Sequence, residues 1–194
     1  GMVLLSRYPI DTANIRTFQH FKWRDMPGYL PTVKADGSPW YSNEAWQQFP
    51  LSSKSHWDVP VTINGKTLHI LASHPTPPVF DGDENRNGNR NHDEVKFWVD
   101  YLSGQSYMVD DQGKAGGYAT TAPFVIVGDL NSSAVEGDAF RNAIKSLLEH
   151  PKVNNDFVPL DVLLAYLWNR IRWSCCRNTS SGMGRILFQG RLDI

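Results

Sequence analysis

The chain has 194 residues, enough for one domain or a large part of one, and 19 Lys/Arg against 20 Asp/Glu leave a net charge of −1 with His neutral. That balance excludes a polybasic nucleic-acid tether and a strongly acidic tail, and seven Trp, seven Tyr and nine Phe exclude a disordered chain. No apolar run approaches the roughly 20 residues that span a bilayer, and the adjacent Cys175 and Cys176 offer neither a disulfide framework nor a zinc knuckle.

Met2-Val-Leu-Leu-Ser6, ended by Arg7, Tyr8 and Pro9, reads as a short buried strand. Residues 17–50 combine five Pro/Gly between Met26 and Pro39 with Trp23, Trp40, Tyr41 and Trp46, the composition of a long functional loop. Strand-like runs at 57–63 and 66–72 flank Asn64-Gly65, the strongest hairpin signal in the chain. Ser73-His-Pro-Thr-Pro-Pro78 cannot be helical, because proline lacks an amide donor and biases its predecessor toward extended geometry. A polar loop over 81–93 leads to a helix over Asp93–Leu102, where Val95, Trp98, Val99 and Leu102 recur at helical spacing. Pro123-Phe-Val-Ile-Val127 suits a strand buried on both faces. Ser132 or Ser133 would cap a helix near 137–148 with Phe140, Ile144, Leu147 and Leu148 on one face. Strands mixed with helices point to a layered α/β or α+β fold.

Composition then breaks. Residues 1–159 hold 14 basic and 18 acidic side chains, net −4, whereas 160–194 hold five Arg and two Asp, net +3, together with both cysteines. This divides the chain into a domain over 1–159 and a tail over 160–194 that reads as divergent or out of frame. A helix over Leu160–Ile171 followed by a tail is the plainer alternative.

Two strands end in groups suited to chemistry. Gly128-Asp-Leu-Asn131 puts a carboxylate and, two residues on, a carboxamide at the carboxyl end of a buried strand, the edge of an open sheet where ligands collect. Asp129 can hold a hard cation or take a proton from water, and Asn131 can donate to a phosphoryl oxygen; equally, the pair could simply turn the chain and cap the next helix. Leu68-His-Ile-Leu-Ala-Ser-His74 delivers an imidazole in the same way, on the side of the strand shared with Leu68, Ile70 and Ala72.

Taken with Gly1-Met-Val-Leu-Leu-Ser-Arg-Tyr-Pro-Ile10, these pieces resemble the endonuclease/exonuclease/phosphatase superfamily of DNase I-like phosphoesterases. Ser52-Ser-Lys-Ser-His-Trp-Asp-Val-Pro-Val61 and the segment His74–Glu94 resemble a bacterial branch of it. The resemblance implies an α+β fold, a four-layer sandwich of two packed mixed sheets flanked by helices, here incomplete. It implies Mg²⁺ or Mn²⁺ as cofactor and a phosphate-ester substrate, with nucleic acid among the candidates. Asp129 would orient or deprotonate water and belong to a partial Mg²⁺ site. Asn131 would bind phosphate and His74 would stabilise the pentavalent phosphorane. Lys54 and His56 fall where phosphate-contacting cations occur in the family, and Arg86, Asn87, Arg90 and Asn91 would border the substrate cleft. The family's principal metal-binding Glu precedes the Leu-Ser-Arg-Tyr-Pro motif, at which this chain begins, and no Ser-Asp-His follows near the C-terminus. Hydrolysis by this chain is therefore expected to be impaired. Branch and scarce cysteine lean toward an exported bacterial protein.

Residues 83–94 also satisfy the EF-hand loop pattern, with Asp83 and Glu94 as the charged Ca²⁺ ligands, although a Pro-rich segment precedes them in place of a helix. The competing functional class is a non-catalytic binding or structural domain, with residues 17–50 as its contact surface or this loop as a Ca²⁺ site.

Overall fold

Alternation of apolar and polar residues around Asn64-Gly65 builds the centre of the molecule. In the computed structural model, which describes residues 1–154 and 187–188, β2 (His56–Ile63) and β3 (Lys66–Ser73) pair antiparallel from His56↔Ser73 to Ile63↔Lys66. Asn64 and Gly65 both take positive φ, 49° and 76°, as a tight hairpin turn requires. β1 (Arg16–Thr17) adds to β2 antiparallel, β4 (Phe124–Val127) to β3 in parallel, and β5 (Leu187–Phe188) to β4 antiparallel. The result is a mixed five-stranded sheet in the order β1-β2-β3-β4-β5, with helices packed against it: an α+β arrangement.

Successive side chains of each strand go to opposite faces. Leu71, Phe124 and Ile126 join the main core with α2 (Arg86–Leu102) and α3 (Arg141–Leu148). Phe97, Trp98, Tyr101 and Leu102 of α2 are almost wholly buried, each contributing roughly 1.5–3 kcal/mol by leaving water. On the other face Val59, Val61, Ile70 and Val125 form a second cluster, against which Leu4, Tyr8, Ile10 and Ile15 pack.

Four expectations are corrected. Residues 2–5 form no strand; Val3 and Leu5 are 80 % exposed, and only Leu4 among the three Val/Leu packs on the sheet. The polar loop over 81–93 is mostly helix, because α2 starts at Arg86 behind Asn85 in the left-handed region. That also overturns the calcium loop: Asp83 is exposed, Glu94 is fully buried within the helix, and most positions between them are helical. Finally, α3 starts at Arg141 after Phe140, not at a serine cap.

The 17–50 region is largely irregular, with α1 (Asn43–Gln48) capped by Ser42, whose Oγ accepts from Ala45 N at 3.2 Å. Of its aromatics Phe18, Phe21 and Trp23 are buried core, Tyr29, Tyr41, Trp46 and Phe49 pack partly buried against it, and Trp40 is exposed. Asp93 of α2 anchors the region by accepting from Trp23 Nε1 at 2.6 Å and Leu30 N at 2.8 Å. Readings that fall on 160–194, apart from the strand pair 187–188, lie outside the described residues. No described helix is long and apolar enough to cross a membrane.

Candidate active site at the strand ends

β3 and β4 run parallel with Ala72 beside Val127, so the register carries Ser73 to Gly128 and His74 to Asp129. The approach is close: a Cβ on Gly128 would lie 1.9 Å from Ser73 O, and φ is +125°. Only glycine fits there, and its absence of side chain lets the two strand ends converge. The chain then bends at Asn131, which takes φ 48° while its N–H donates to Asp129 Oδ1 at 2.9 Å. Asn131 Nδ2 donates to Pro75 O at 3.1 Å, tying the loop after β4 to the residue following His74. An amide nitrogen has two hydrogens, so one remains for a ligand.

Electrostatics agree with this convergence. His74 is half-buried, and its imidazole is pushed below the ordinary range, chiefly by burial. The positive charges of Lys54 and the Gly1 amino group act in the same direction, while Asp129 opposes them. His74, Asp129 and Lys54 are thus electrostatic neighbours. Lys54 Nζ donates to Ser53 Oγ at 3.2 Å at the surface.

The other candidates go elsewhere. His56 is 1 % exposed, its ring stacked on Phe97 at 4.1 Å. Its Nε2–H donates to Glu94 O at 2.8 Å, leaving Nδ1 without a partner among the described residues, and burial pushes the imidazole down to about 4. A neutral core histidine replaces the expected phosphate contact. Arg90 donates from Nε to Leu51 O at 2.7 Å and from Nη2 to Pro50 O at 3.0 Å, and lies over the Phe49 ring. Arg86 pairs with Glu84. Asn87 donates to Val79 O at 2.8 Å and its N–H to Asp81 Oδ1. These three residues fasten loops to α2. Asn91 is fully buried beneath the strand ends, donating to Thr76 O and Leu130 O.

Residues 1–183 match the endonuclease/exonuclease/phosphatase family. The chain belongs to that family. The match continues past the compositional break at 159. Among solved structures, the chain is similar to a beta toxin double mutant from Staphylococcus aureus with bound magnesium ions (13 % identity, TM-score 0.46, covering 95 % of this chain and 50 % of that one). It is similar in the same measure to sphingomyelinase C from Streptomyces griseocarneus (13 %, TM-score 0.44, 95 % and 50 %). The chain therefore spans about half the length of these structures. No functionally curated protein matches it.

The donor set does not fit a resident Mg²⁺. That ion demands near-octahedral oxygen coordination, and Asp129 with Asn131 falls short of it. Among the described residues no three His, Cys, Asp or Glu side chains come together as a ligand group.

Sequence reasoning missed Gly128, whose role is a clearance that appears only once β3 and β4 are paired, and Glu94, which it assigned to a calcium loop. The glycine immediately before the Asp-x-Asn motif was the available signal.

Proposed function

We propose that the convergence of His74 with Asp129 and Asn131 forms a phosphate-ester site of the hydrolytic type. The observation that carries this reading is the Gly128–Ser73 approach, which brings a neutral imidazole, a carboxylate and a donating carboxamide to one sheet edge. His74 and the spare Asn131 N–H would donate to phosphoryl oxygens, Lys54 would add positive charge, and Asp129 would orient or deprotonate the attacking water. Family membership supports use of a divalent cation. The described residues do not complete a site for one, so no step is derived through it, and turnover by this chain is expected to be low. An exported bacterial setting belongs to the same reading.

Titration of inorganic phosphate into isotopically labelled chain tests it. The His74 ring and Asn131 side-chain signals should shift, and His74→Ala or Asn131→Ala should abolish binding. Millimolar phosphate that moves neither signal would sink the reading. Mg²⁺-dependent hydrolysis of a generic phosphodiester that disappears in Asp129→Ala would overturn the expected impairment alone.

A second reading, a non-catalytic binding module, is favoured by a groove of about 270 Å³ between Tyr29, Val33, Tyr41 and Trp46. Chemical-shift changes confined to those residues would support it over the strand-end site.

A further inference from the structure

Among the described residues, three buried polar networks besides the Arg16–Asp110 pair lie outside the strand ends. In one, Asp58 accepts from His69 and Tyr101; in another, His92 bridges Asp93 and Asn142. In both, each named carboxylate or amide meets a partner that ties secondary structure together. The third is different, because it lies directly beneath the candidate site and is not closed.

Asn91 and Glu94 stand three residues apart on one face of α2, both fully buried. They grip the same residue, Thr76, two positions beyond His74. Glu94 Oε2 accepts from Thr76 N at 2.5 Å, and Asn91 Nδ2 donates to Thr76 O at 2.8 Å. The same carboxamide reaches Leu130 O at 3.0 Å and Asn131 O at 3.4 Å. One side chain thus spans the loop after β3 and the loop after β4, while Asn131 returns the contact at Pro75 O.

Packing alone does not explain the choice of residues. Glu94 is an acid in the core, its pKa raised chiefly by burial; the Ser52 and Thr76 hydroxyls and the Arg90 charge approach it, yet among the described residues neither Glu94 Oε1 nor Asn91 Oδ1 closes a hydrogen bond. Buried acceptors left open cost stability, and an apolar pair would avoid that cost. What an apolar pair could not do is hold the amide and carbonyl of Thr76 and the carbonyl of Leu130 at fixed separation.

We propose that Asn91 and Glu94 are positioning residues: they set the spacing between the two strand-end loops, so that His74 and Asp129–Asn131 address a single phosphoryl group. What occupies the site rests on the phosphate-ester reading; the clamp itself does not.

The test measures the coupling between His74 and Asp129, defined as the change in the His74 titration midpoint, followed by ring NMR, when Asp129 becomes Asn. In the parent chain Asp129→Asn should lower the midpoint, because the Asp129 charge favours protonation of His74. In Asn91→Leu or Glu94→Leu chains that remain folded by circular dichroism, the lowering should shrink and affinity for inorganic phosphate should fall about tenfold. Glu94→Gln retains an acceptor for Thr76 N–H and should keep both. If the leucine variants do not fold, Asn91→Ala removes the same donations with less bulk and should show the same loss. Unchanged coupling in a folded Leu or Ala variant overturns the clamp, even if phosphate binds. Coupling that responds in a chain that binds no phosphate upholds the clamp and sinks the phosphate reading.

Discussion

His69, in the middle of β3, and His74, just past its end, lie five residues apart and have opposite fates. His69 Nδ1–H donates to Asp58 Oδ1 at 2.6 Å, Tyr101 donates to the other carboxylate oxygen at 2.6 Å, and the imidazole meets the edge of Tyr118 at 5.2 Å. The His74 ring makes no hydrogen bond to a described residue; it feels Lys54, Asp129 and the Gly1 amino group only as charges. Folding consumes the first histidine and leaves the second its full donor and acceptor capacity at a half-buried edge. On the proposed reading, what sets His74 apart from His69 is hydrogen-bonding capacity left open at a half-buried edge, a difference that residue type alone does not carry.

The contrast can be broken most severely at Gly128. Gly128→Ala forces a methyl into Ser73 O at a φ that alanine resists, and should cost about 4 kcal/mol in urea unfolding while displacing His74 from Asp129. A loss below about 1 kcal/mol would mean the strand ends do not meet. Next, Asp58→Ala leaves His69 and Tyr101 unpaired in the core and should cost about 3 kcal/mol, with no effect on phosphate binding. The third is His56. Its folded pKa of about 4 lies below the ordinary 6.5, so the unfolded chain binds the extra proton. The stability that His56 contributes is whole above pH 6.5 and drains away as pH falls toward 4, approaching about 3 kcal/mol. Urea midpoints measured across that range should show the loss, and His56→Gln should flatten it.

The hairpin and β4 were legible because their signals are local: Asn64-Gly65 supplies the two positive φ values, and Phe124–Val127 is apolar on both faces because both faces are covered. The first turns of α2 were not. Asn87, Asn89 and Asn91 face loops instead of apolar neighbours and donate to Val79 O, Pro31 O and Thr76 O, so apolar periodicity is silent where the helix begins. The same polar run imitates a calcium loop, since a spacing pattern cannot register that its residues are helical. His74 and Asp129 could be named from strand ends, but their adjacency depends on a parallel pairing across 50 intervening residues, those from 74 to 123 between β3 and β4. His56 occupies the first position of β2, opposite Ser73, and faces α2. No local pattern distinguishes that placement from a surface cation.

The smallest effects sharpen the contrast best. His74→Ala removes a ring that holds nothing in place, so stability should change by no more than about 0.5 kcal/mol while phosphate binding disappears. His69→Ala should do the reverse. Between them sits Lys54→Met, which should leave stability unaltered, weaken phosphate binding by removing a positive charge, and move the His74 midpoint. Lys54 disfavours protonation of His74, so removing its charge should raise the His74 midpoint, and the rise should diminish with added salt because the pair is partly exposed. Asp129→Asn should move the midpoint the other way. If both substitutions shift it in the same direction, or Lys54→Met leaves it fixed at low salt, the three charges do not share one edge, and the difference between His69 and His74 reduces to burial.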